Sequence, residues 1–394
     1  MKFSWFHLMP YPDLPEDFRD RHRSVWVDAP ARALYDPARG VRLYRDYLDE
    51  LEHADAVGFD GVCVNEHHAS AYGLMPSPNL MAAALARGTT RAKLVVLGDS
   101  VALYDPPVRV AEELAMLDVL SGGRVVAGFP VGLPMDAAFA MGVNPVTLRE
   151  KHREGVELVL RAWSAREPFA FNGRFTQLRY VNPWPRPLQD PRPPVWIPGG
   201  SSPETWDYCA ANDFLYANLS YSGFRAAKSA LDGYWAAVER AGKARNPYRA
   251  AFLQLFGVAE SDAAAEKLYK DAVLYSYRSG LHVPPEFALP PGYLTDAGAR
   301  RAAAAVAPTA TMSWEELKAG GHAVVGSPDT VVAAIEELAA TLGVGHLLAL
   351  LHFGTLSKEA TFANTELFAR EVMPRVRGLF KDHEDAWWPK EPGR

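Results

Sequence analysis

Four consecutive polar residues, Asn65-Glu66-His67-His68, follow directly on the apolar run Gly61-Val62-Cys63-Val64. Imidazole titrates near neutrality, so a histidine at the end of such a run can give or take a proton in catalysis. Adjacent side chains of an extended chain face opposite ways, so His67 or His68 serves chemistry and the other braces the fold. A second cluster, Pro198-Gly199-Gly200-Ser201-Ser202-Pro203-Glu204-Thr205, lies between an apolar run and a helical one. Its glycines permit close backbone approach, and the helix that follows offers free N–H groups and the positive end of its dipole. Ser201, Ser202 and Thr205 add hydroxyls. That is the chemistry of an anion site, although Ser and Pro also open helices that bind nothing. Arg149 falls in the first turn of another predicted helix, where the dipole disfavours a cation. Either an anion such as a phosphate compensates it, or Glu150 or Glu154 does. Asp99, flanked by Gly98 and Ser100, ends the most apolar run of the chain and is either solvated or functional. His7 and His352 also end apolar runs, so His7, His67, Asp99 and His352 form a competing set, that of a metal-dependent hydrolase. Against it, there is no HExxH, no His-x-His after the first run and no carboxylate ending the last.

The elements that must position these residues alternate along the chain. Short β-rich runs are expected at Lys2–Leu8, Gly61–Val64, Lys93–Val101, Val125–Val131, Val195–Ile197, Phe214–Ala217, Ala251–Val258 and Gly345–Leu351. Amphipathic stretches separate them. The continuous apolar run Leu94-Val95-Val96-Leu97 is that of a parallel strand covered on both faces. Thr147 and Glu150 read as a capping box at the start of a helix running to Ala165. Eight strand–helix units predict a (β/α)8 barrel, whereas a doubly wound sheet needs fewer strands. The barrel accounts for residues 1–380, with a C-terminal tail at 381–394. Three excursions interrupt the rhythm: a Pro-rich stretch at 9–41 after the first strand, an expected extended hairpin at 168–194, and a Pro- and Ala-rich stretch at 281–323 before the last strand. The first and third fall where rim loops would build a pocket wall or lid, or else are surface decoration.

The chain has 394 residues, 48% hydrophobic and 22% charged, with a formal net charge of −6. Lys and Arg are dispersed, which argues against a nucleic-acid face or an anionic-membrane surface. No apolar run approaches bilayer length, and Met1–Phe6 reads as a strand rather than a secretory leader. The two cysteines, Cys63 and Cys209, sit in apolar segments and read as core residues of a reducing, cytoplasmic compartment.

With these residues in place, the sequence resembles the bacterial luciferase-like flavin monooxygenases over nearly its whole length. The resemblance rests on an ordered set: Asn65-Glu66-His67-His68-Ala69, Gly73–Pro78, Pro107–Glu113 running into Leu117–Arg124, Gly128–Gly132, Gly199–Thr205 and Gly326–Val331. It implies a (β/α)8 barrel, agreeing with the strand count. It also implies reduced FMN as co-substrate, delivered by a separate NAD(P)H-dependent flavin reductase, and O2 activated as a flavin C4a-hydroperoxide that oxidises a small organic molecule. His67 would be the catalytic histidine. Arg149, Ser202 and Thr205 would contact the flavin phosphate, with the Gly200 and Ser201 backbone close by. Asp99 would end a strand lying against the flavin ring, with a non-proline cis peptide just after Ser100. Relatives usually form homodimers. Two departures matter: residues 9–41 and 281–323 do not match the aldehyde-binding pocket, and Pro130-Val131 stands where luciferase has a cysteine and then a phosphate-binding arginine. The latter opens a second reading, an F420-dependent oxidoreductase transferring hydride. A third is a non-catalytic flavin-binding relative.

Overall fold

The computed structural model describes residues 1–219, 221–295 and 309–390. In chain order the strands are β1 (Lys2–Phe6), β2 (Gly61–Val64), β3 (Lys93–Leu97), β4 (Val125–Gly128), β5 (Phe169–Asn172), β6 (Gln177–Val181), β7 (Val195–Gly199), β8 (Leu215–Asn218), β9 (Ala250–Val258), β10 (Ala323–Gly326) and β11 (His346–Leu350). Eight of them pair in parallel in the order β9-β11-β1-β2-β3-β4-β7-β8, and β8 pairs back onto β9 to close the barrel. The longer helices are α1 (Pro37–Val57), α2 (Pro78–Gly88), α3 (Val108–Ser121), α4 (Pro145–Ser164), α5 (Pro203–Asn212), α6 (Phe224–Arg240), α7 (Asp262–Tyr275), α8 (Pro328–Leu342) and α9 (Lys358–Leu367). Among the described residues, no helix is long and apolar enough to cross a membrane.

Strand side chains alternate between two apolar layers, as a period of two requires. Phe3, Trp5, Val62, Val64, Leu94, Val96, Tyr216, Leu347 and Ala349 pack outward against the helices. Phe6, Cys63, Val95, Leu97, Trp196, Leu253, Leu348 and Leu350 fill the barrel interior. Both sets are buried, which is why the strands read as continuous apolar runs rather than alternating ones.

Three details depart from the expectation. β10 is a parallel strand outside the eight; it pairs with Leu255–Val258, continuing the β9 edge that β8 occupies at Ala250–Phe252. It begins at Ala323, the last residue of the 281–323 excursion, and at four residues is too short a run to stand out. The capping box at Thr147 and Glu150 does not form. The cap of α4 is Asn144, whose side chain accepts from the Val146 N–H at 3.0 Å, with Pro145 at the first helical position. The cis peptide bonds among the described residues all precede proline, at 106, 185 and 191, so the one expected after Ser100 is absent.

The excursions take distinct places. Part of 168–194 is the antiparallel β5–β6 pair, inserted between α4 and β7. Residues 296–308 of the third excursion lie outside the described residues. Residues 381–390 of the tail pack beneath the barrel: Trp387 and Trp388 are buried, and the Trp196 indole N–H donates to the Trp387 carbonyl at 2.9 Å. Cys63 and Cys209 are free and buried.

Candidate active site

A cavity of about 450 Å³ opens at the C-terminal ends of the strands, the end at which barrel enzymes carry their sites. Phe6, Leu97 and Leu253, from the uppermost interior layer, form its apolar base. Trp26 from the 9–41 excursion, and Leu281, Val283, Leu289 and Tyr293 from the 281–323 excursion, supply wall. Trp5, Phe129 and Trp196 are core.

His67 follows β2 and lines this cavity. Its Nδ1 lies 3.0 Å from Oδ2 of Asp136, a residue in the single wide helical turn Met135–Ala140 beyond β4. The other oxygen, Oδ1, accepts the His68 backbone N–H at 2.8 Å and the Trp26 indole N–H at 3.1 Å. Three N–H groups thus converge on one carboxylate. A carboxylate accepts only, so the hydrogen bonds assign the proton to His67 Nδ1 and leave Nε2 as the lone-pair nitrogen on the cavity side. The ring is held edge-on to Trp26 and Tyr72, at 5.8 and 4.8 Å between centroids. Gly73 passes over it: a Cβ there would stand 2.9 Å from the Leu8 carbonyl and 3.2 Å from His67 Cδ2.

The neighbours of His67 are structural. Asn65 donates to the His7 carbonyl at 2.7 Å, tying the end of β2 to that of β1. Glu66 accepts from the Ser100 N–H at 2.7 Å and pairs with His68 Nε2 at 2.9 Å. Burial opposes protonation of His68, but the Glu66 hydrogen bond and charge outweigh it and raise its pKa.

Around the barrel, three strands on from β2, β7 leads into the Gly199–Thr205 turn. Arg149 reaches across from the second turn of α4. Its guanidinium donates to Ser202 Oγ and to Thr205 Oγ1, each at 3.1 Å. Arg149, Gly200, Ser201, Ser202 and Thr205 all line the cavity. Both carboxylates open to Arg149 on sequence grounds are engaged elsewhere: Glu150 pairs with Arg174, and Glu154 accepts the backbone N–H groups of Arg174, Phe175 and Thr176. Burial pulls the Arg149 pKa down, with the nearby Tyr293 and Glu204 working weakly against it. A half-buried cation whose hydrogen bonds go to neutral hydroxyls is under-compensated. A phosphate would supply the missing charge, at the N-terminus of α5 and beside Gly200, where a Cβ would meet nothing within 4 Å. The residues therefore fit a phosphate-bearing cofactor.

Asp99 does not reach this cavity. It is fully buried behind it, accepting from Asn79 at 2.9 Å and Tyr104 at 3.4 Å. Burial, then the charges of Glu66 and Glu113, push its pKa well above the ordinary carboxylate value. The competing metal set is not assembled either. Among the described residues the one group of potential ligands that converges is His7, Glu50 and His352, without His67 or Asp99.

Asp136 is the residue that sequence reasoning missed. Its signal was faint: a single carboxylate in the otherwise apolar stretch Val131–Ala140.

The chain is similar in sequence and fold to known proteins. The family described as luciferase-like monooxygenase matches residues 25–346. The 4-hydroxyprotoasukamycin monooxygenase of Streptomyces nodosus subsp. asukaensis is 29% identical over 353 residues, covering 86% of this chain and 88% of its own. The oxygenating constituent of the 3,6-diketocamphane monooxygenase of Pseudomonas putida, solved in complex with FMN, is 22% identical with a TM-score of 0.72, covering 95% of this chain and 98% of its own. The fold also extends to an F420-dependent secondary alcohol dehydrogenase, 15% identical with a TM-score of 0.63 over 95% of this chain and 98% of that one.

Proposed function

Since this chain belongs to the luciferase-like monooxygenase family, we propose that it is the oxygenase component of a two-component system. It would use reduced FMN and O2 to insert one oxygen atom into a small, largely apolar organic substrate. The observation that carries this reading is the pairing of two polar groups on one apolar cavity: half-buried Arg149 with the hydroxyls of Ser202 and Thr205, and His67 with Asp136. Arg149, Ser202, Thr205 and the Gly200–Ser201 backbone would hold the flavin phosphate. Bound reduced flavin would supply the two electrons that activate O2, one oxygen atom going to substrate and the other leaving as water.

The chain's own residues do the rest. Charge-assisted hydrogen bonds at Arg149 fix the cofactor's position, so that reaction becomes a matter of orientation. The apolar base and the excursion walls exclude water. His67 exchanges a proton at Nε2, and Asp136 holds the tautomer and ring angle that this requires. An NAD(P)H-dependent flavin reductase would deliver the flavin. A homodimer has a candidate face in Leu80, Met116, Val119 and Leu120, large apolar side chains exposed on α2 and α3. The free cysteines suit the cytoplasm.

Val131 lines the cavity where luciferase has its second phosphate-binding arginine, which favours one further reading: F420 as cofactor, with hydride transfer in place of oxygenation. One experiment separates the two. The protein is supplied with FMN, a flavin reductase, NADH and ¹⁸O2, and challenged with a panel of apolar ketones, terpenes and alcohols; a parallel titration uses reduced F420. Products heavier by one ¹⁸O atom support the monooxygenase. Tight F420 binding without oxygen incorporation overturns it.

A further inference from the structure

A second, smaller chamber of about 40 Å³ adjoins the main cavity and shares Leu8, Tyr72, Tyr221 and Leu281 with it. Tyr72 and Tyr221 stand at the junction, hydroxyl to hydroxyl at 2.5 Å. The chamber holds roughly three water-sized groups. The hydroxyls of Tyr11, Tyr275, Ser276 and Tyr277 that line it are each engaged with a backbone group. His352, which follows β11, is different. It is 3% exposed, and its Nε2 has no hydrogen-bond partner. A buried polar atom left without a partner costs stability unless something occupies the space beside it.

The tautomer of His352 follows from its surroundings. Its Nδ1 lies 2.9 Å from Oε2 of Glu50, which also receives His7 Nε2 at 3.0 Å, while His7 Nδ1 accepts the Met9 N–H at 2.9 Å. Glu50 is the acceptor shared by both rings, so the neutral His352 imidazole carries its proton on Nδ1 and presents a lone pair at Nε2.

We propose that this chamber is a substrate subsite that binds the hydroxyl-bearing end of an apolar molecule, with His352 Nε2 accepting the hydroxyl proton. The assignment rests on the monooxygenase reading only in naming that molecule as substrate; the selectivity itself is a property of the apoprotein. A donor at one end would orient the molecule so that its apolar remainder passes Tyr72 and Tyr221 toward His67. Hydrocarbons and ethers of the same length would lose the anchor.

The test uses 1-octanol, its methyl ether and n-octane, with binding read by calorimetry and by Trp fluorescence, since Trp26 stacks on Tyr72 at 4.2 Å. Wild type is expected to bind the alcohol roughly tenfold more tightly than the ether. His352→Phe should remove that preference while ether binding changes little. Leu14→Trp, which fills the chamber and leaves Glu50 and His352 untouched, should weaken the alcohol selectively in a protein with unchanged melting temperature. Equal affinity of wild type for alcohol and ether overturns the proposal. So does a preference that survives in folded Leu14→Trp. FMN titration on the same preparations reports separately on the cofactor reading, so failure of one is not mistaken for failure of the other.

Discussion

Asp136→Asn isolates the contribution of His67's orientation from that of its presence. In Asp136, Oδ1 receives two obligatory donors, the His68 N–H at 2.8 Å and the Trp26 indole at 3.1 Å, so the asparagine oxygen must take that position. Its NH2 then replaces Oδ2, 3.0 Å from His67 Nδ1. An amide NH2 donates, so Nδ1 must become the acceptor and the ring proton moves to Nε2, the nitrogen on the cavity side. The ring stays in place with the wrong tautomer. Positioned acid–base catalysis is worth about 10²–10⁴ in rate, or ~3–5 kcal/mol of barrier. Turnover of the best substrate from the ¹⁸O panel should therefore fall by about two to four orders of magnitude, approaching that of His67→Ala. FMN affinity should stay within about threefold, because the phosphate contacts lie three strands away, and stability should drop by only ~1 kcal/mol. The informative readout is the split between kcat, which collapses, and FMN affinity, which does not. A kcat within threefold of wild type in a folded, FMN-binding variant would refute the role given to both residues.

Other consequences follow from buried groups. Burial depresses the pKa of His152 to about 4 despite its 2.9 Å hydrogen bond to the Phe129 carbonyl. The unfolded chain therefore binds more protons between about 6.5 and 4. The stabilisation is complete above that window and ~3 kcal/mol is lost as pH falls through it. The melting temperature of His152→Gln, followed from pH 7 to pH 4.5, should decline less steeply than that of wild type; parallel curves would contradict this. Asp99→Asn alters a carboxyl that does not line the cavity, so FMN affinity should barely move, whereas a large loss of FMN binding would return Asp99 to the flavin site. Gly73→Ala forces a methyl against the Leu8 carbonyl and His67, and should lower turnover more than FMN affinity; an unchanged kcat would argue against a tightly held His67.

How far the sequence carried depended on the range of the interactions. Barrel strands buried on both faces advertise themselves locally, so Leu94–Leu97 and its counterparts were legible. The His67 strand end and the Ser202–Thr205 turn were legible for the same reason: each is a contiguous run of unusual residue types. Arg149 could be suspected on electrostatic grounds, although the helix cap in fact lies three residues earlier, at Asn144, and places it in the second turn. What sequence reasoning could not supply were pairings across the fold. Asp136 reaches His67 over 69 residues of chain, and the Glu50–His352 contact spans 302. Asp99 misled because a carboxylate at a strand end looks the same whether it faces the cavity or the layer behind it. The four-residue β10, starting where the Pro- and Ala-rich stretch ends, was too short a run to register.

Everything functional here depends on a phosphate meeting Arg149, and the most direct measurement is the affinity of the protein for reduced FMN compared with reduced riboflavin, which lacks that phosphate. Charge-assisted hydrogen bonds contribute about 1.5–3 kcal/mol, so FMN should bind roughly 10- to 100-fold more tightly, and Arg149→Met should erase most of the difference. Equal affinities for the two flavins in wild type would contradict the account.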